Sequence, residues 1–136
     1  GEASEQDPKK NGFKGLSRKT KVTGSISRRG KSALNVKNSP LGRYQALISK
    51  AVELQWRRNC EQHRDHIVPG VMSLRFYVDE NGNVSGIKFQ EIIEGNYIER
   101  GFTQRAIRQA KLPNMCKSVI KELQGEPLEL IYNFYF

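Results

Sequence analysis

The sequence predicts an α+β domain: two helices packed on one face of a three-stranded antiparallel sheet, in the order α-β-β-α-β, after a flexible basic tail. Three observations lead there. Apolar residues between Leu41 and Trp56 recur at helical spacing. From Val71 to Val84 two alternating segments flank a turn containing Asn81-Gly82. The last residues, Leu128-Glu129-Leu130-Ile131-Tyr132-Asn133-Phe134-Tyr135-Phe136, place large apolar side chains on every second position.

In chain order, residues 1 to 38 read as a basic, mostly disordered linker. Gly, Ser and Lys dominate, and the large apolar residues are scattered, too few to offset the entropy of ordering. Within it, Val22-Thr23-Gly24-Ser25-Ile26 has the composition to add a short strand or strap. Ser39-Pro40 opens the domain, Ser as N-cap and Pro at the first helical position. The first helix carries Leu41, Tyr44, Ile48, Ala51, Val52 and Trp56 on one face and is expected to reach about residue 64, ahead of Pro69-Gly70. Trp56 reads as the anchor between helix and sheet.

Met72, Leu74, Phe76 and Val78 then form one face of a strand, with Ser73, Arg75 and Tyr77 opposite. The return strand, Val84 to about Ile93, shifts phase around Gly86, which predicts a bulge. Asn96 with Glu99 three residues on has the pattern of a capping box. The helix that follows carries Ile98, Phe102, Ala106, Ile107 and Ala110 inward and ends at Leu112-Pro113. Residues 114 to 126 read as an irregular or short helical connection. The final strand is expected at a sheet edge, where Leu128, Glu129, Leu130, Ile131, Tyr132, Asn133, Phe134 and Tyr135 offer unpaired backbone groups to an extended partner segment.

The net charge of +9 is concentrated at one end. Residues 1–40 hold ten Lys/Arg against three acids, whereas residues 41–136 hold thirteen against eleven. The arm reads as a self-repelling spacer rather than a nucleic-acid ligand, since it lacks interleaved aromatic residues for stacking bases. A nucleic-acid-binding protein using that arm is the alternative function, and nucleic acid is the less favoured partner. No apolar run approaches the ~20 residues that span a bilayer. The opening Gly1-Glu2-Ala3-Ser4 is no signal peptide and reads as the start of a trimmed fragment, with which an upstream membrane anchor is compatible.

The layout over residues 39–136 resembles the C-terminal domain of TonB and TolA, periplasmic energy-transducing proteins of Gram-negative bacteria. The resemblance rests on the Tyr44-to-Trp56 helix and the Val71-to-Val84 hairpin around Asp79-Glu80-Asn81-Gly82. It continues with Phe102 followed by Ala106-Ile107, Ala110-Lys111-Leu112-Pro113 and the terminal aromatic strand. Gly24-Ser25-Ile26-Ser27-Arg28-Arg29-Gly30 and Ser39-Pro40-Leu41-Gly42-Arg43-Tyr44 also look like the linker-to-domain junction of some TonB-like proteins. The chain departs from the pattern at Ile93-Glu94-Gly95-Asn96, where TonB domains carry a Ser-Ser-Gly-like turn, and in its two cysteines.

The resemblance implies a periplasmic, non-enzymatic domain, anchored in the inner membrane in the full-length protein. Its N-terminal part would engage a proton-channel complex. The domain itself would bind an outer-membrane TonB-dependent transporter or a TolA-type envelope protein by strand addition. Separately, a sheet this small predicts a homodimer, domain-swapped or intertwined, as a further partner.

Cys60 and Cys116 are candidates for one disulfide in an oxidising compartment, with two free buried thiols the alternative. A bridge would close a loop of about 57 residues and stabilise by ~4 kcal/mol on the chain-entropy estimate. Cys60, His63 and His66 step by three and drift around the helix, a poor start for tetrahedral zinc, so no metal or other cofactor is expected. A Cys–His nucleophile lacks an orienting third group. Asp79 and Glu80 read as turn formers, and no phosphate-binding loop is present.

Overall fold

The computed structural model describes residues 20–27 and 38–136. They form an α+β fold with a four-stranded antiparallel sheet and three α-helices. The strands are β1 (Lys21–Ile26), β2 (Val71–Val78), β3 (Val84–Ile93) and β4 (Leu128–Tyr135), in the spatial order β1-β4-β2-β3. The helices are α1 (Pro40–Gln62), α2 (Tyr97–Gln109) and the short α3 (Lys117–Glu122), with a 3-10 turn at Arg64–His66.

Two expectations need correction. The sheet has four strands, because Lys21–Ile26, inside the stretch read as linker, pairs with β4 over six residues. The remainder of that linker, residues 1–19 and 28–37, lies outside the described residues. It follows that Leu128–Tyr135 is not an open edge: β4 is hydrogen-bonded to β2 on one side and to β1 on the other. The reason is compositional. Val22 and Ile26 are β-branched, spaced to fall on one face, and both pack partly buried against the core.

The sheet grows from the β2–β3 hairpin. Asp79 closes its turn: the Asp79 N–H donates to the Asn83 carbonyl at 3.0 Å, and Asp79 Oδ1 accepts from the N–H groups of Asn81 and Asn83, each at 2.9 Å. Gly82 takes φ +81°, and a β-carbon there would lie 2.6 Å from the Leu112 carbonyl oxygen. The expected bulge is present, since Gly86 (φ +63°) and Ile87 together oppose Phe76. A second irregularity sets Gln90 as an extra residue between the Leu74–Phe89 and Ser73–Glu91 pairs.

One face of the sheet is the core. Met72, Leu74, Phe76, Val78, Leu128, Leu130, Tyr132 and Phe134 are fully buried, the alternation read from the sequence. Helix α1 starts as predicted: the Ser39 side chain accepts from the Gly42 N–H at 3.0 Å, with Pro40 at the first helical position. It lays Tyr44, Ile48, Val52 and Trp56 on the sheet. Trp56 stands 5.2 Å from Phe134 and 5.1 Å from Phe136 between ring centroids, and its indole N–H donates to Thr103 Oγ1 on α2 at 2.9 Å. That bond ties both helices and β4 together at one buried point.

The capping box of α2 is present and does more than cap. Glu99 Oε1 accepts from the Asn96 N–H and Asn96 Oδ1 from the Glu99 N–H, at 2.9 and 2.8 Å. The second carboxylate oxygen accepts from the Val68 N–H at 2.9 Å, which fastens the loop after α1 to the start of α2. Glu99 is fully buried, and burial, the largest cause, raises its carboxyl pKa against the two backbone N–H bonds.

Candidate functional site: the flanks of the sheet

Each β4 residue directs its backbone N–H and C=O to one neighbour only, and two bonds define which. The Phe136 N–H donates to the Gly70 carbonyl at 2.9 Å, so even-numbered residues face β2. The Ser27 N–H donates to the Glu129 carbonyl at 2.9 Å, so odd-numbered residues face β1. Glu129, Ile131, Asn133 and Tyr135 therefore supply the flank that receives β1. The register is continuous from Lys21 opposite Tyr135 to Ile26 opposite Leu130, with no bulge.

At the middle of this seat, Gly24 lies opposite Tyr132. A β-carbon on Gly24 would sit 2.4 Å from the Tyr132 ring, so the two are in contact face to backbone. Tyr132 cannot easily withdraw. It is fully buried, tilted against Phe76 at 5.5 Å, and its hydroxyl shares a 2.5 Å hydrogen bond with Ser49 on α1. Burial, partly countered by bonds to Ser49 and Gln45, pushes the phenol up to about 12. The core-facing side chains of β1 flank this contact, Val22 opposite Phe134 and Ile26 opposite Leu130. On the other face Asn133 Nδ2 donates to Thr23 Oγ1 at 3.3 Å, and Lys21 Nζ lies 5.5 Å from the Tyr135 ring centroid.

The two outer flanks among the described residues are poorer receivers. Along β1, the Gly24 carbonyl points away from β4 and accepts from Gln45 Nε2 of α1 at 3.0 Å. Just before the strand, Arg57 donates to Thr20 Oγ1 at 2.8 Å and to its carbonyl at 3.3 Å. Helix α1 thus occupies part of that edge. Along β3, the two irregularities break the straight run of backbone groups that pairing requires. Among the described residues, β1 fills a strand seat on β4 that runs without interruption.

The remaining candidate residues do not come together. Cys60 and Cys116 are both free, a correction to the candidate bridge. Tyr44, near the start of α1, donates its hydroxyl to the Pro113 carbonyl at 2.6 Å, which places Cys116 near that end. Cys60 is sixteen residues beyond Tyr44 on the same helix, a rise of ~24 Å from Tyr44, and it is buried whereas Cys116 is exposed. Burial, the largest cause, pushes the Cys60 thiol up to about 12, while Cys116 is exposed.

His63 stacks on Phe102 at 5.0 Å, and its Nδ1 lies 3.0 Å from the Asn59 carbonyl, so the ring is a lid on the core. Among the described residues no cluster of three metal-ligating side chains forms, and no helix is long and apolar enough to cross a membrane. Asp79 is spent on its own turn, where the bond from the Asn83 N–H is the largest of the causes lowering its carboxyl pKa. Sequence reasoning missed Gly24, Gln45 and Ser49 as parts of the site. The alternation of Val22 and Ile26 was the available signal for β1; nothing local in the sequence marks Gly24 as the seat of a distant ring.

Compared with protein-family models and with curated proteins, the sequence gives no match to either.

Proposed function

We propose that this chain is a non-enzymatic envelope interaction domain of the TonB/TolA kind, periplasmic and held at the inner membrane through upstream sequence. In this reading it captures an extended segment of an outer-membrane transporter or envelope protein by strand addition. The segment takes the flank of β4 by exchange with β1, not by joining an open edge. The observation that carries the reading is the seating of β1 itself. A segment outside the helix–hairpin–helix–strand unit lies along β4 in a regular six-residue antiparallel register.

The energetics suit exchange. Six ladder pairs contribute ~6 kcal/mol at about 1 kcal/mol net per hydrogen bond. Partial burial of Val22 and Ile26 adds ~2 kcal/mol. Ordering six residues costs about 6–9 kcal/mol at 1–1.5 kcal/mol each. The balance lies within a few kcal/mol of zero, so a competing strand with similar side chains can replace β1. A free segment offering only these contacts competes with a tethered arm at about millimolar effective concentration, so its apparent Kd would be about millimolar.

Nuclear magnetic resonance titration of the full chain with extended segments of envelope proteins tests this. Shifts are expected at Ile131, Asn133 and Tyr135 together with loss of the β1 pairing, and little change as salt rises from ~0.05 to ~0.5 M. Binding of nucleic acid that collapses over the same salt range, with shifts confined to the basic arm, would support the alternative and refute strand capture.

A further inference from the structure

We infer that the β4 flank selects its ligand by the absence of a side chain: it receives an antiparallel extended segment with glycine opposite Tyr132 and β-branched apolar residues two positions to either side. This rests on the strand-exchange reading and specifies the chemistry of its partner. A β-carbon on Gly24 would approach the Tyr132 ring to 2.4 Å. Contact that close is tolerated only where the neighbour can move. The ring is held by Ser49 through its hydroxyl, by Phe76 at its side, and by complete burial. The incoming strand must therefore lack a β-carbon there, so alanine is excluded as firmly as larger residues.

The neighbouring positions are read by apolar contact with the core. Residues two before and two after the glycine point to the core side, where Val22 and Ile26 of the present occupant meet Phe134 and Leu130. Intervening residues point to the other face, where Thr23 and Ser25 are exposed and impose little. One more discriminator sits at the margin: Lys21 lies beside the Tyr135 ring, so a basic residue three before the glycine is favoured. Gln45, donating to the Gly24 carbonyl at 3.0 Å, holds the glycine backbone in register with the ring. The resulting pattern is basic, apolar, any, Gly, any, apolar, read antiparallel to β4.

The test uses the full chain carrying Gly24→Val, which should expel its own arm while leaving the helices and the other strands in place. Fluorescent peptides with the sequence of residues 19–28 are titrated by anisotropy: the parent peptide, one with Gly24→Ala, and one with Ser25→Ala. The parent and Ser25→Ala peptides should bind within about threefold of each other, and the Gly24→Ala peptide at least about tenfold more weakly. Equal binding of the glycine and alanine peptides would overturn the glycine rule while leaving strand acceptance intact. Failure of every peptide, with the arm shown to be released, would overturn strand exchange as well. An arm that stays docked despite the Gly24→Val substitution, with the Ile131, Asn133 and Tyr135 amides still protected, would also refute the rule.

Discussion

Replacing Gly24 with alanine in the full chain should release β1 without unfolding the domain, and the size of the effect follows from a ceiling. A β-carbon 2.4 Å from a fixed aromatic ring is strongly repulsive. The chain need not bear that repulsion, because β1 can leave. The cost is therefore capped at the net free energy that holds the arm, which the balance of hydrogen bonds, burial and ordering entropy puts at no more than ~2 kcal/mol. That corresponds to about 30-fold in an opening equilibrium.

The assay is amide hydrogen exchange, and β4 carries its own control. Protection at Ile131, Asn133 and Tyr135, whose N–H groups face β1, should fall by up to ~30-fold. Leu130, Tyr132 and Phe134, whose N–H groups face β2, should keep theirs. Protection retained at the first three, or lost equally at all six, would overturn this expectation: the first would mean Tyr132 yields, the second that β1 is integral to the core.

Three further outcomes are expected. Thr103→Val removes the acceptor of the buried Trp56 indole N–H at little change in shape, so urea unfolding should show a loss of ~1–3 kcal/mol; a change below ~0.5 kcal/mol would mean the bond has a substitute partner. In native protein one thiol, Cys116, should react promptly with a disulfide reagent while Cys60 reacts only on unfolding; two unreactive cysteines that appear only after reduction would contradict the free state of both. Glu99 has its folded pKa raised above the ordinary 4.5, so the native state binds more protons than the unfolded state from about pH 4.5 up to that raised value. Stability from this group is thus highest at low pH and falls as pH rises through the window; Glu99→Gln should flatten that slope, and an unchanged slope would assign the titration to another group.

Much of the architecture was legible because short-range rules govern it. The spacing from Leu41 to Trp56, the Asp79–Asn83 turn, the phase shift at Gly86 and the Asn96/Glu99 cap each depend on residues within a few positions of one another. All appear as read. The alternation in Leu128–Tyr135 likewise settles which side chains are buried. It is silent about which strand lies on each side, because both flanks of a strand present the same backbone groups.

Residue order alone sets the two long helices, the hairpin, the terminal strand and which face of each is apolar. Three-dimensional packing sets the rest: β4 lies inside the sheet, the arm supplies its neighbour, and the two cysteines stay free, Cys60 buried and Cys116 exposed. Local patterns are set by 3.6- and 2-residue periodicity, which a linear text displays directly. The fit of Gly24 under Tyr132 depends on a contact across more than a hundred residues, in which a missing side chain on one strand matches a ring pinned from α1. No local periodicity encodes that kind of complementarity.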